Sequence, residues 1–155
     1  DEIEDKDRIV TGWGASLSGI WQFAENTSLC FQGVYGKGIS NYIQDISGSG
    51  LDLVPSATAE GKLKAFGAWG GYIGFSHNWS KVLTSNIMYS YARVLDRYGM
   101  PTTSYKYAQY AAANLFWDFS EYGSCAIEYV FGRRNDFNKD YGNASRINTM
   151  IQYRF

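Results

Sequence analysis

The chain has 155 residues, of which 45% are hydrophobic, 17% aromatic and only 19% charged, with 17 Gly against 2 Pro. That is one domain's length, too aromatic for a disordered chain, and its formal charge of −1 offers no field for nucleic acid. No stretch approaches the roughly 20 apolar residues of a membrane helix; runs such as 111–113 are short.

Residues 1–8 are dominated by acids and lack the basic and apolar regions of a secretory signal. From residue 9 the pattern has a period of two almost everywhere, the mark of strands with unlike faces. Over 9–23 the odd positions carry Ile9, Trp13, Leu17, Trp21 and Phe23. A second strand is expected over 28–42, its alternation weakened by Gly33, Gly36 and Gly38. Over 62–79 the odd set is Leu63, Ala65, Trp69, Ile73, Phe75 and Trp79. Strands follow near 83–95 and 105–119, then one in which Cys125, Ile127, Tyr129 and Phe131 oppose Ser124, Ala126, Glu128, Gly132 and Arg134. The last is the clearest: Ile147, Thr149, Ile151, Tyr153 and Phe155 alternate with Arg146, Asn148, Met150, Gln152 and Arg154. Its length matches the roughly 9–11 residues of a tilted strand crossing a bilayer, not the ~5–6 of an ordinary strand.

The connections are read as two alternating kinds. Those at 24–27, 80–82 and 120–123 are short; those at 43–61, 96–104 and 135–143 are longer and polar. Outer-membrane barrels have this asymmetry. A Trp precedes each short turn: Trp21-Gln-Phe-Ala-Glu-Asn-Thr-Ser28 resembles Trp117-Asp-Phe-Ser-Glu-Tyr-Gly-Ser124, and Trp79 to Ser85 is a shorter version. Trp21, Trp79, Trp117, Tyr153 and Phe155 are therefore expected to form an aromatic girdle at one membrane depth; core Trp in a soluble sandwich is the alternative. Asn26, Asn78 and Asn143 begin glycosylation-like triplets and are read as turn residues. Cys30 and Cys125 are read as buried or lipid-facing thiols, with a single bridge as the alternative.

Seven strands is an odd number, whereas a single-chain bacterial barrel has an even one and an open sheet edge cannot face lipid. The expected fold is all-β, an antiparallel transmembrane β-barrel to which this chain contributes about seven strands. Residues 1–8 are expected to end an extracellular loop, and 9–155 to be the C-terminal part of one barrel domain.

Several segments resemble the C-terminal end of the DcaP-like porin family. They are Ala113-Asn-Leu-Phe-Trp-Asp-Phe-Ser120, Ile127-Glu-Tyr-Val-Phe-Gly-Arg-Arg134, Gly142-Asn-Ala-Ser-Arg146 and Ile151-Gln-Tyr-Arg-Phe155. Upstream, 36–43 and 68–79 are similar too, so the likeness spans most of 30–155. It departs from the family in having Asp118-Phe119 where a Pro-containing turn is usual. The resemblance implies a trimeric, roughly sixteen-stranded porin of the Gram-negative bacterial outer membrane. It implies that the N-terminal half of the same barrel lies outside this chain, and it points to uptake of dicarboxylates.

With Phe155 facing lipid, barrel parity sends Arg154, Arg146, Arg134, Lys106, Lys62, Lys64, Glu128 and Asp118 inward, a cationic excess that would concentrate anions. Arg134 and Arg146 are the candidate contacts for a carboxylate, which an Arg fork matches. The competing reading is a wall ion pair with Glu128, Asp136 or Asp140. The expected function is passive diffusion of small, preferentially anionic solutes, with outer-membrane lipid as the surroundings, a homotrimer as the assembly and no nucleic acid as partner.

Three other readings are kept. A complete small barrel would serve as an anchor or adhesin. A soluble ligand-binding barrel would need the apolar set inside. An enzyme would have to use His77, the sole histidine, as base, with a Ser such as Ser85 beside it on the barrel exterior, as outer-membrane phospholipases do. There is no G-x-S-x-G motif, no phosphate loop and no metal-ligand cluster, so neither catalysis nor a cofactor is expected. The small side chains Ala108, Ala111, Ala112 and Ala113 suggest a strand at a protomer interface.

Overall fold

The computed structural model describes residues 9–55 and 63–155. The expectations for residues 1–8 and for Lys62 lie outside them. Seven long strands form one sheet: β1 (Trp13–Ala24), β2 (Thr27–Lys37), β5 (Gly67–Asn78), β6 (Leu83–Val94), β7 (Tyr105–Asp118), β8 (Gly123–Asp136) and β9 (Tyr141–Tyr153). All neighbours are antiparallel and follow chain order. The short strands β3 (Leu53–Pro55) and β4 (Leu63–Ala65) pair in a separate hairpin within the first long connection. β1 and β9 are the sheet's two edges.

Apart from irregularities at Gln22/Ala24 and Tyr105/Tyr107, the register keeps odd residues on one face and even residues on the other. One odd row runs Trp21, Leu29, Phe75, Ile87, Ala113, Tyr129, Ile147. Its side chains lie open: Trp21 is 64% and Ile147 67% exposed. Neighbouring rows add Phe31, Ile73, Tyr89, Phe131, Leu115, Ile127, Trp117 and Ile151. An uncovered apolar face of this extent marks a surface that contacts a membrane or another protein. One even row, by contrast, is polar from edge to edge: Gln22, Ser28, Ser76, Asn86, Asn114, Glu128, Asn148.

The register also gives the tilt. Gln22↔Ser28 closes the first short turn; Asn78↔Thr84 closes the second one same-face step lower, and Asp118↔Ser124 the third another step lower. Each step is two residues, about 6.8 Å, for every two strands, about 9.6 Å of width. Level turns thus require strands tilted by roughly 35°, within the roughly 35–45° of membrane barrels.

What buries a core is a loop. Gly38, at φ +67°, turns the chain out of β2, and its N–H donates to the Phe66 carbonyl at 2.9 Å. Two 3-10 turns follow, Ser40–Tyr42 and Gln44–Ile46. Ile39, Ile43, Ile46 and Leu51 pack with Phe66 onto Ala68, Ala92, Val94 and Tyr105. Ile46 and Phe66 are fully buried. The loop lies over the even face at its long-loop end, where that face is made apolar by Val34, Ala68, Ala92 and Val94 to receive it. Asp52 latches it, accepting from Ser40 Oγ at 2.7 Å and Asn41 Nδ2 at 2.5 Å, while Asn41 Oδ1 accepts from the Gly48 N–H at 3.1 Å.

Two strand expectations were too long for this reason. The 28–42 strand stops at Lys37, and the 62–79 strand begins at Gly67 because Phe66 leaves the ladder for the loop core. Conversely, the connection expected at 135–143 contracts to Phe137–Asp140, as β8 and β9 run on past it. Connection length therefore does not alternate strictly: Trp79–Val82 at the other end is as long.

Candidate functional site

The polar face and the loop across it form the candidate site. Register places Glu128, Arg134, Arg146 and Asp118 on this face. Glu128 sits in the polar row and accepts from Asn148 Nδ2 at 2.8 Å and Asn114 Nδ2 at 3.5 Å; Asn114 Oδ1 accepts from Asn86 Nδ2 at 2.8 Å. Four adjacent strands are thus joined by one side-chain chain. It is orderly because the residues are direct cross-strand partners.

Arg134 lies three same-face steps from Glu128, too far to meet it. Its Nε pairs with Asp136 Oδ1 at 2.9 Å, and its guanidinium lies over Tyr105 at 5.6 Å. Arg146 faces Val130 across β8–β9, is exposed, and forms no ion pair with any described residue.

The other cations do not follow simple parity. A bulge between Tyr105 and Tyr107 gives the polar-face position to Tyr105, whose hydroxyl donates to the Ala92 carbonyl at 3.0 Å. Lys106 lies instead over the Phe137 ring, its Nζ 5.9 Å from the centroid. Lys64 stands on the β3–β4 hairpin with its ammonium 5.3 Å from the Tyr98 ring. Desolvation, with Asp96 adding to it, raises the Tyr98 hydroxyl above the usual phenol range, so that ring stays neutral. Arg154 follows the end of β9; its N–H donates to the Tyr122 carbonyl at 2.8 Å, and it borders a shallow cleft with Asp118 and Glu121 at the short-turn end. The polar face's strands therefore hold Arg134 and Arg146 against Asp118, Glu128 and Asp136. The cationic excess expected of this face is not carried by its strands.

The loop adds residues that alternation could not assign. A cleft of about 570 Å³ opens between loop and sheet, lined by Tyr42, Gln44 and Asp45 from the loop and Tyr72, Ser90 and Tyr110 from the polar face. A signal was present in the sequence: Ile39, Ile43 and Ile46 recur at helical spacing across the end of the strand expected at 28–42 and the start of the connection expected at 43–61.

On the other face, Trp21, Trp79, Trp117, Tyr153 and Phe155 are all at least half exposed. With the stagger above, they fall within one two-residue step of a common depth. His77 lies on the same face, but its Nδ1 meets Thr27 Oγ1 at 2.8 Å, and Trp79 Nε1 donates to Ser85 Oγ at 2.9 Å. Histidine and Ser85 thus have separate partners. Cys30 and Cys125 stand on opposite faces as free thiols. Of the small residues on β7, Ala111 and Ala113 share the apolar face, while Ala108 and Ala112 are on the polar one.

No protein-family model matches the chain, and no curated protein matches it by sequence. A solved structure does match in fold: the outer membrane channel DcaP of Acinetobacter baumannii superposes with a TM-score of 0.75 at 18% identity. The match covers 93% of this chain and 41% of that one. The antiparallel, seven-stranded sheet of this chain is thus similar in fold to part of that channel.

Proposed function

We propose that the chain is part of the wall of a bacterial outer-membrane porin that passes small hydrophilic solutes by passive diffusion. The carrying observation is the polar row from Gln22 to Asn148, back to back with an uncovered apolar face. A wall between lipid and water needs both faces, and seven strands keep them in phase. The soluble-barrel reading needs the apolar side chains enclosed, whereas the covering loop lies over the opposite face. Since open edges cannot face lipid, β1 and β9 pair with the remaining strands of the barrel. A homotrimer in contact through its apolar face completes this reading, which assigns the chain no catalytic step.

Within the lumen the loop bearing Tyr42 and Asp45 narrows the path. Although the strands of this face hold one more acid than base, Glu128 is held by two asparagines and Arg134 by Asp136, and the exposed Arg146 is the residue that favours carboxylates. Planar-bilayer recording of the full polypeptide tests this: stepwise conductance with an anion-favouring reversal potential in a salt gradient is expected. Absence of channels from folded protein refutes the conduit, and a cation-favouring potential refutes the selectivity alone.

A further inference from the structure

The apolar face carries cations where lipid would be. Lys37, Arg93 and Arg133 are all at odd positions, and no acidic residue occupies that face among the described strand residues. Levelling the strands by the two-residue stagger brings these three, on β2, β6 and β8, to one depth. From Ser124, at the level of the Trp117–Tyr153 girdle, to Arg133 the chain climbs nine residues of β8. That is about 31 Å along the strand and about 25 Å across the membrane at the derived tilt, equal to the ~25 Å apolar band of such barrels. The cations therefore ring the far edge of the band, on the long-loop side.

They are set among amphipathic rings. Trp69 stacks on Tyr91 at 4.8 Å, and Tyr91 on Tyr107 at 5.5 Å. Arg93 is opposite both Trp69 and Tyr107, and the Arg133 guanidinium lies 4.2 Å from the centroid of Tyr141. Three buried polar atoms have no hydrogen-bond partner among the described residues: Arg93 Nε, Arg133 Nε and Asn135 Oδ1. All three are on this patch, and such groups are costly to leave unsatisfied. Two strands and one same-face step separate Arg93 from Arg133, about 12 Å between backbones.

We propose that Arg93, Arg133 and Lys37 form a binding site for a phosphorylated saccharolipid headgroup in the outer leaflet. A disaccharide carrying a phosphate at each end spans the two arginines, whose forks match phosphate oxygens. Asn135 Oδ1 accepts from a sugar amide or hydroxyl. Charge complementarity selects this occupant over a second copy of the chain, because the apolar face of another protomer carries no acidic residue among its described strand residues to meet the three cations. The proposal rests on the membrane reading above.

The test is retention of lipid by the full polypeptide folded in neutral detergent, read by native mass spectrometry. Bisphosphorylated lipid A, chemically dephosphorylated lipid A and inorganic phosphate are the probes. Bisphosphorylated lipid A should bind at least tenfold more tightly than the dephosphorylated form. R93Q combined with R133Q should remove that difference, while K81Q in a short turn should not. Equal binding of both lipids overturns the proposal, and so does full competition by inorganic phosphate, which would mark an anion site instead. A double variant that loses protomer association while keeping lipid discrimination also overturns it, assigning the patch to a subunit contact. If the double variant does not fold, comparison of the two lipids on the unmodified protein decides. Protein that folds and conducts but shows no discrimination sinks this site and leaves the channel standing.

Discussion

Arg134 and Asp136 stand on the same face of β8 and close an ion pair of 2.9 Å, so the arginine nearest the long-loop rim reaches the polar face already paired. Arg146, one strand away on β9, is exposed and has no acidic partner among the described residues. The two residues read alike in the sequence but differ in what they can offer an anion.

Arg146→Ala should therefore reduce anion preference more than Arg134→Ala does, and Asp136→Asn should increase it by releasing Arg134. Reversal potentials in a tenfold salt gradient measure all three. Exposed pairs contribute about 0–1 kcal/mol, so none of these changes should lower thermal stability appreciably. Equal losses from both arginines would show that the ion pair does not attenuate Arg134.

The latch at Asp52 gives a prediction about the loop. Its carboxylate accepts from Ser40 Oγ and Asn41 Nδ2, and hydrogen bonds to a charged group contribute roughly 1.5–3 kcal/mol each when shielded. Asp52→Ala should weaken the docking of residues 38–52 by about 1–3 kcal/mol. Amide exchange in that segment should quicken while β5–β8 stay protected, and single-channel conductance should rise with added current noise. Ile46→Ala removes a fully buried side chain and should act in the same direction, costing about 2–5 kcal/mol.

The two faces were legible in the sequence because side-chain period two survives almost every strand; Trp before each short turn marked the level of one girdle. Three features were not legible, the first two because a local device overrides period two and the third because a strand outlasts its expected end. The bulge at Tyr105/Tyr107 exchanges Lys106 for Tyr105 on the polar face. Gly38 and the buried Phe66 divert the chain into the loop. Asp136, counted with the loop acids, is a strand residue because β8 runs on to it. Parity also treated the inner face as uniformly wet, although the loop makes its long-loop end apolar. The cations at 93 and 133 were visible as residues, but their common depth needed the register and stagger.

Gly36 tests the close approach of β1 and β2. A Cβ there would collide with the Trp13 carbonyl oxygen and lie 2.6 Å from Gly14 Cα, both backbone atoms that cannot swing aside. Gly36→Ala should destabilise this pair by about 1–3 kcal/mol, the usual cost of overpacking. Gly33, whose added Cβ would meet nothing within 4 Å, is the matched control. Comparable melting temperatures for G36A and G33A would mean that the edge pair relaxes to admit the methyl.

The strongest test of the membrane assignment uses two consecutive residues of β6. Ile87 lies in the apolar row between Phe75 and Ala113, and Met88 faces the other way between Gly74 and Ala112. Both are near the middle of the roughly 25 Å apolar band. A lysine at Ile87 must enter hydrocarbon, at about 2–4 kcal/mol for a midplane cation on the lipid face of a barrel. A lysine at Met88 enters the wet face, costs little, and should shift reversal potential toward anions. In a soluble protein with solvent on the exposed odd face the order reverses: Ile87→Lys, at a site 61% exposed, would be nearly neutral, and Met88→Lys no better tolerated. Folding yields of I87K and M88K in lipid vesicles separate the two cases, because one residue's change in register moves the same charge from one medium to the other.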